Sequence, residues 1–232
     1  MKNVATKTQW LAARQAHLEK EKAFTKLRDE LSAERRELPW LAVSESYEFH
    51  SVGHRHTLAD LFENRSQLIV FHFMFAEDWD EGCPSCSFWA DNFNGIDVHL
   101  AHRDIALVAV SNTSVEKIEQ YKRRMGWTFR WVSSLHSSFN RDFDVSFSSE
   151  DVRDGRTYYN YRTTAFPSTE APGISVFAKE ADGSVFHTYS CYSRGLDMLN
   201  AAYHLMDLVP AGRAEASAHP MSWLRRRDQY ED

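Results

Sequence analysis

Two cysteines three positions apart, Cys83 and Cys86, are the residues of this chain whose types and spacing best fit a chemical role. They lie within "DWDEGCPSCSFW", residues 78–89. Cysteines at this spacing can form a redox-active disulfide, supply half of a metal site, or pack as small apolar side chains. The surrounding sequence favours one of these three uses.

The cysteines follow a predicted strand and begin a predicted helix. Residues 67–75 are nearly all apolar, which is typical of a strand buried on both sheet faces. Pro84 suits the first helical position because it has no N–H to leave unbonded. Cys83 is then at a helix N-terminus, where unpaired backbone N–H groups and the helix dipole favour the thiolate. One turn of helix brings Cys86 close to Cys83.

This context predicts a thiol-disulfide oxidoreductase. Cys83 is the expected nucleophile, which attacks a disulfide and forms a mixed disulfide, and Cys86 is the expected resolving thiol. The exchange needs no cofactor in the protein. Its expected partners are a protein or small-molecule disulfide and a separate thiol reductant that recycles the pair.

Acidic residues crowd the approach to Cys83 in the sequence, and no Lys or Arg occurs between Arg65 and Arg103. The acidic residues are Glu77, Asp78, Asp80 and Glu81. Because carboxylates oppose a nearby thiolate, we expect the pKa of Cys83 to be lowered less than in strongly oxidising relatives. This predicts a reductant or isomerase, and a Cys83 pKa near ~4 would contradict it.

A metal site is disfavoured. Zinc would need a second pair of ligands, but Cys191 stands alone and the eleven histidines lack zinc-finger spacing. We therefore expect no metal, with His50, His54 and His56 binding one only adventitiously.

Other candidates have plain structural interpretations. His72 and His187 lie on predicted strands, where a hydrogen-bonded core histidine is the expected role. Cys191 lies at a strand end and is expected to be buried. Trp79 is expected to pack under its loop, and the alternative is an exposed aromatic that holds a peptide or partner.

Composition and charge exclude several classes of protein. The 232 residues are 43% hydrophobic and 13% aromatic, enough for a sizeable core. A net charge of −6, with residues 225–227 as the longest basic cluster, argues against nucleic acid as a partner. No run approaches the ~20 apolar residues of a membrane span, so we expect no membrane insertion. With no signal-peptide pattern and only three cysteines, the expected location is the cytoplasm.

The order of elements predicts an α/β fold, a mixed sheet flanked by helices. Strand 67–75 and "DIALVAVS" are each followed by a helix. The second of these helices has an apolar stripe of Val115, Ile118 and Met125 and a predicted capping box of Thr113 and Glu116. A strand "WTFRW", a hairpin of "ISVFA" and "SVFHTYS", and a closing helix complete the order.

Two extensions flank or interrupt this domain. Residues 1–40 form a predicted helical arm with an apolar stripe of Phe24, Leu27, Leu31 and Leu38. The stripe is expected to dock on the domain, residues 41–232, and the alternative is a partner-binding or dimerising arm. Residues about 133–173 form an aromatic-rich insertion that is expected to pack on the core, with a lid over the site as the alternative.

Several segments resemble one bacterial family over nearly the whole chain. They include "FMFAEDWDEGCPSCSFWADNFNG", "YKRRMGWTFRWVSS", "FNRDFDVSF", "YYNYRTTAFP" and "YHLMDLVPAGR". The chain resembles domain of unknown function 899 (DUF899). That resemblance implies a thioredoxin-like fold and the activity of a dithiol-disulfide isomerase.

The resemblance also suggests individual roles. The thioredoxin motif Cys-x-x-Cys corresponds to Cys83, Pro84, Ser85 and Cys86. Pro172, which leads into "GISVF", stands where thioredoxins have a cis-proline facing the cysteines. An ordinary trans turn proline is the alternative.

Peroxiredoxins share the thioredoxin-like fold, and "DWDEGCP" resembles the stretch before their peroxidatic cysteine. In this chain Asp80 replaces their peroxide-binding threonine, and a carboxylate there would repel a developing oxyanion. A thiol peroxidase is therefore the first alternative. The second is a non-catalytic binding module on the same fold.

Overall fold

The computed structural model describes residues 4–215 and 220–231, which divide into two compact units, Met1–Pro39 and Trp40–Asp232. The first unit is one helix, α1 (Lys7–Arg36). Thr6 caps it reciprocally, because Thr6 Oγ1 accepts from the Gln9 N–H and the Gln9 side chain accepts from the Thr6 N–H. No described residue of α1 is buried.

The second unit holds the sheet and the remaining helices. Its described strands are β1 (Leu41–Ala42), β2 (Glu48–Ser51), β3 (His54–Thr57), β4 (Gln67–His72), β5 (Ile105–Ser111), β6 (Arg130–Ser133), β7 (Thr157–Tyr159), β8 (Arg162–Thr164), β9 (Gly173–Lys179) and β10 (Val185–Tyr192). Its described α-helices are α2 (Leu58–Leu61), α3 (Pro84–Ala90), α4 (Asp97–Ala101), α5 (Val115–Met125), α6 (Phe139–Asp142), α7 (Ser149–Arg153) and α8 (Ala201–Met206).

The main sheet has the order β1-β10-β9-β4-β5-β6-β2-β3. Strand β4 is parallel to β5, and β5 is parallel to β6, as helical crossovers require. Strand β9 returns antiparallel to β4 and continues into the antiparallel hairpin with β10. The predicted α/β class, a thioredoxin-like mixed sheet flanked by helices, is confirmed.

Both faces of the central strands are buried. Successive side chains of a strand point to opposite faces, so Val70 belongs to one core cluster and Phe71 to the other. The cluster of Phe71 is aromatic and includes Trp89 of α3 and Tyr121 of α5. This explains why the strand has an almost continuous apolar sequence rather than an alternating one.

Several predicted boundaries were wrong. Strand β4 ends at His72 rather than at residue 75, because His72 lies opposite Gly173, where β9 begins. The strand predicted at "WTFRW" is β6, which begins at Arg130 because its ladder with β5 begins there.

The predicted capping box of Thr113 and Glu116 was also wrong. Ser114 caps α5, since its extended backbone lets Oγ accept from the Lys117 N–H at 3.4 Å. Thr113 is buried instead.

Two predicted helices are divided. The segment after the cysteines splits into α3 and α4, and Gly95 between them has φ +85°, a conformation that favours glycine. The closing helix consists of a 3-10 segment, Ser193–Leu199, followed by α8. Asn200 caps α8 by accepting from the Tyr203 N–H at 3.2 Å.

The predicted insertion, residues about 133–173, contributes side chains both to the core and to the wall of a cavity. Its first part packs on the core, where Phe139 and Phe143 join the cluster of Val70. Its second part, with Tyr159 and Phe166, lines a cavity beside the cysteines.

Candidate active site

Cys83 is the N-cap residue of α3, and Pro84 occupies the first helical position. The Cys83 N–H donates to the Met74 carbonyl at 3.0 Å, which ties it to the segment after β4. Its carbonyl accepts from the Ser87 N–H at 3.0 Å and from the Ser87 hydroxyl at 2.8 Å. Both ends of the Cys83 backbone are thus held, and the side chain is only partly buried.

Cys86 lies one helical turn later and is buried, with 2% of its surface exposed. Its Sγ accepts a hydrogen bond from the Met74 N–H at 3.4 Å. Met74 therefore bonds both cysteines, accepting from Cys83 and donating to Cys86. Cys83 and Cys86 are not joined in a disulfide.

The pKa values of the two thiols are shifted in opposite directions. A hydrogen bond from Cys86 lowers the pKa of Cys83 to about 7, backbone N–H groups of Cys86 and Ser85 add to this, and burial opposes it. Burial, together with the hydrogen bond to Cys83, raises the pKa of Cys86 well above its ordinary value. Near neutral pH, Cys83 is therefore the thiol of the pair that more readily loses its proton.

Residues remote in the sequence bring positive charge to the acidic run. Glu81 pairs with Arg124 and, at 2.7 Å, with Arg226. Lys117 donates to the carbonyls of Glu77 and Trp79 at 2.6 and 2.8 Å. The pKa of Cys83, about 7, is not the value near ~4 that would contradict the expected moderate lowering, and the groups that lower it are the Cys86 thiol, the N–H groups of Cys86 and Ser85 and the Ser85 side chain.

Gly82 connects this loop to Cys83 and has no room for a side chain. A Cβ there would lie 2.7 Å from Phe73 Cε1 and 2.8 Å from Tyr121 Cε1. The Gly82 carbonyl accepts from Arg226 Nη2 at 2.7 Å and from Nε at 3.1 Å. The C-terminal segment therefore fixes the residue before Cys83.

A cavity of about 810 Å³ opens beside the two cysteines. Its apolar and aromatic lining consists of Phe71, Met74, Trp89, Tyr159, Phe166, Pro172, Leu196, Tyr203, Pro220 and Met221. A set of charged side chains lies in the same wall: Arg194, Asp197, Asp207, Arg213 and Glu215.

The predicted supporting residues divide into two groups. Ser85 and Pro172 line the cavity with the cysteines. Trp79 is half-buried against the aromatic cluster, and Asp80 is exposed, so neither is among the described lining residues. The peptide bond before Pro172 is trans, since the described residues contain no cis peptide bond.

The histidines are hydrogen-bonded as expected. His72 Nε2 lies 2.8 Å from Ser175 Oγ, and burial lowers the pKa of His72 to about 3. His187 Nε2 lies 2.7 Å from Ser190 Oγ. Within residues 4–215 and 220–231, no group of three or more His, Cys, Asp or Glu side chains is arranged to hold a metal.

Sequence reasoning missed two groups near the site. Arg226 entered the sequence reading only as part of a short basic cluster. Glu170 is 3% exposed and accepts from Asn112 at 3.1 Å and Ser146 at 2.7 Å. Burial raises the pKa of Glu170 to about 7. No local pattern marks either residue, since their partners are distant in the chain.

The family model described as "Bacterial protein of unknown function (DUF899)" matches residues 1–230. The chain belongs to this family. No curated protein matches this DUF899 member. Among the residues that the structure describes, no helix has the length and apolar composition needed to cross a bilayer.

Some solved structures share features of its fold. Peroxidoxin BcpB from Mycobacterium tuberculosis is 14% identical with a TM-score of 0.43, and the match covers 69% of this chain and 95% of that one. Peroxiredoxin Q from Xanthomonas campestris is 17% identical with a TM-score of 0.43, covering 71% and 92%. PrxQ from Xylella fastidiosa is 12% identical with a TM-score of 0.42, covering 72% and 95%. At these values the likeness says nothing about activity.

Proposed function

We propose that this DUF899 protein is a thiol-disulfide oxidoreductase that uses Cys83 as nucleophile and Cys86 as resolving thiol. The observation that carries the proposal is the hydrogen-bonded thiol pair at the start of α3, in which the pKa of the outer thiol is lowered and that of the inner thiol is raised. A pair that only packed in the core would have both thiols buried and neither activated.

The exchange takes two steps. The Cys83 thiolate attacks one sulfur of a disulfide, that S–S bond breaks, and a thiolate leaves while a mixed disulfide forms on Cys83. Cys86 then loses its proton and attacks Cys83 Sγ, which releases the second thiolate and closes the Cys83–Cys86 disulfide. Two electrons pass from the protein to the substrate, and a separate dithiol returns them.

The chemistry requires nothing besides the two thiols, so the proposal includes no cofactor and no metal. It places the protein in a reducing compartment, the cytoplasm, where all three thiols stay reduced between turnovers.

The first experiment is an equilibrium titration of the full-length protein in dithiothreitol redox buffers. The fraction of the Cys83–Cys86 disulfide is read by thiol alkylation and mass spectrometry. We expect a reversible two-electron couple. Cys83→Ser and Cys86→Ser should each abolish it, whereas Cys191→Ser, the matched control, should leave it intact.

Two results would contradict the proposal. Absence of the Cys83–Cys86 disulfide in every buffer would favour a binding module on the same fold. Rapid consumption of hydrogen peroxide by Cys83, in a Cys86→Ser variant as well, would favour a thiol peroxidase.

A further inference from the structure

We propose that the cavity beside Cys83 selects a low-molecular-weight, uncharged organic disulfide that carries an aromatic or branched apolar group, in preference to a protein disulfide or an anionic one. This inference rests on the proposed function and names the substrate class of the same site. It departs from the isomerase activity that the family resemblance implies, since an isomerase acts on protein disulfides.

The first support is the composition of the wall next to the nucleophile. Trp89, Tyr159 and Leu196 are at most 7% exposed, and they line the cavity together with both cysteines. A group that enters here leaves water for an apolar surface, which favours binding in proportion to the apolar area buried. An aromatic or branched substituent on the disulfide gains the most.

The second support is size and enclosure. A volume of about 810 Å³ lies within the range of ~300–1,000 Å³ that is typical of small-molecule sites. The insertion supplies Phe166 to the wall, and the C-terminal segment supplies Tyr203 and Met221. A protein disulfide reaches a nucleophile with chain on both sides of each cysteine, and these two segments crowd the space that such a chain needs.

The third support is charge. Arg213 is held by Asp197 at 3.0 Å and by Asp207 at 2.8 Å, and Arg194 is 3.4 Å from Asp197. Both guanidinium groups are thus already paired with carboxylates.

Glu215 adds a third carboxylate to this part of the wall. It accepts hydrogen bonds from the neutral donors Tyr203 and Trp223 at 2.9 and 3.0 Å. Among the described lining residues, the carboxylates of Asp197, Asp207 and Glu215 therefore outnumber the guanidinium groups of Arg194 and Arg213 by one. An anionic disulfide finds no free cation among the lining residues that the structure describes, and it meets a net negative charge.

The test compares three probes on the reduced full-length protein at neutral pH. The probes are dithiodipyridine, which is uncharged and aromatic, dithiobis(nitrobenzoate), which is aromatic and dianionic, and insulin as a protein disulfide. Each rate is divided by the rate of the same probe with N-acetylcysteamine, which removes its intrinsic reactivity. We expect the normalised rate for dithiodipyridine to exceed the other two by about tenfold or more, because insulin cannot bury an aromatic ring beside its disulfide in the cavity and dithiobis(nitrobenzoate) brings two carboxylates to a wall without a free described cation.

Two variants test whether the cavity causes the selectivity. Met221→Trp fills part of the cavity wall and should lower the normalised rate for dithiodipyridine severalfold. Met198→Trp, a matched control at a side chain that is 48% exposed and outside the described lining, should not change it. Comparable normalised rates for all three probes, or no effect of Met221→Trp in a folded protein, would overturn the inference.

Failure of the inference and failure of the proposed function are distinguishable. The first attack releases the coloured thiopyridone whether or not Cys86 then closes the protein disulfide. Probe selectivity is therefore read from the thiol that each probe releases in the first attack, and the proposed function is read from formation of the Cys83–Cys86 disulfide.

Discussion

At the scale of residues, the site depends on which group donates a hydrogen bond to Cys83. The thiol of Cys86 contributes most to lowering the pKa of Cys83, ahead of the N–H groups of the helix start. Cys83 and Cys86 could be predicted from the sequence because their spacing and flanking proline are local signals. The sequence does not show that Arg124, Arg226 and Lys117 approach the acidic loop from elsewhere, so these contacts could not be predicted.

The first prediction concerns the pH dependence of Cys83. The thiolate reacts and the thiol does not, so alkylation of Cys83 by iodoacetamide should speed up as pH rises, with a midpoint near pH 7 and a plateau above it. Cys86→Ala removes the donor and should move the midpoint toward the ordinary thiol value of about 8.5. Cys86→Ser keeps a hydroxyl donor and should move it less.

The measurement is the pseudo-first-order alkylation rate of Cys83, followed by mass spectrometry between mildly acidic and alkaline pH. An unchanged midpoint in folded Cys86→Ala would show that the neighbouring thiol does not set the reactivity of Cys83.

At the scale of elements, the loop before α3 is positioned by parts of the chain far from it. Tyr121 of α5 packs against Gly82, and Arg226 of the C-terminal segment bonds to the Gly82 carbonyl. Strands β4, β5, β9 and β10 could be predicted from the sequence, because apolar runs and turn residues are local. The contact of Arg226 depends on a partner that is distant in the sequence and could not.

A pair of neighbouring arginines tests the contact at Gly82. Arg226→Ala removes the hydrogen bonds to Gly82 and Tyr121 and the ion pair with Glu81, and should cost about 1–3 kcal/mol of unfolding free energy. Hydrogen exchange at the Cys83 amide should become faster, because the loop that positions it is less restrained.

Arg225→Ala is the control, since Arg225 contacts only the nearby carbonyls of Ser222 and Leu224 through its guanidinium among the described hydrogen bonds. We expect its effect to stay within about 0.5 kcal/mol, as for most surface substitutions. Denaturant unfolding and amide exchange measure both variants, and equal effects of the two substitutions would contradict a special role for Arg226.

At the scale of the whole molecule, the described core belongs to the second unit. Each buried residue assigned to a core cluster lies between Tyr47 and Tyr203. The sequence predicted the boundary near residue 40 because a long charged helix ends there at Pro39. The sequence also predicted the aromatic-rich insertion. It could not show which part packs in the core and which part lines the cavity, because aromatic side chains suit both places.

Removal of residues 1–39 tests the predicted division into arm and domain. The shortened protein should keep the unfolding temperature of residues 40–232 and the redox couple of Cys83 and Cys86, because the cores contain no described residue of the arm. Calorimetry and the thiol titration measure the two properties. A fall of the unfolding temperature by more than a few degrees would show that the arm is part of the domain.

The bond between Arg226 and Gly82 joins residues that are 144 positions apart. A ribosome makes the cysteine pair long before it makes Arg226. A nascent chain can assemble its sheet once β10 has emerged, yet Gly82 still lacks the hydrogen bonds from Arg226. The loop before Cys83 therefore acquires its final restraints only after Arg226 has been made.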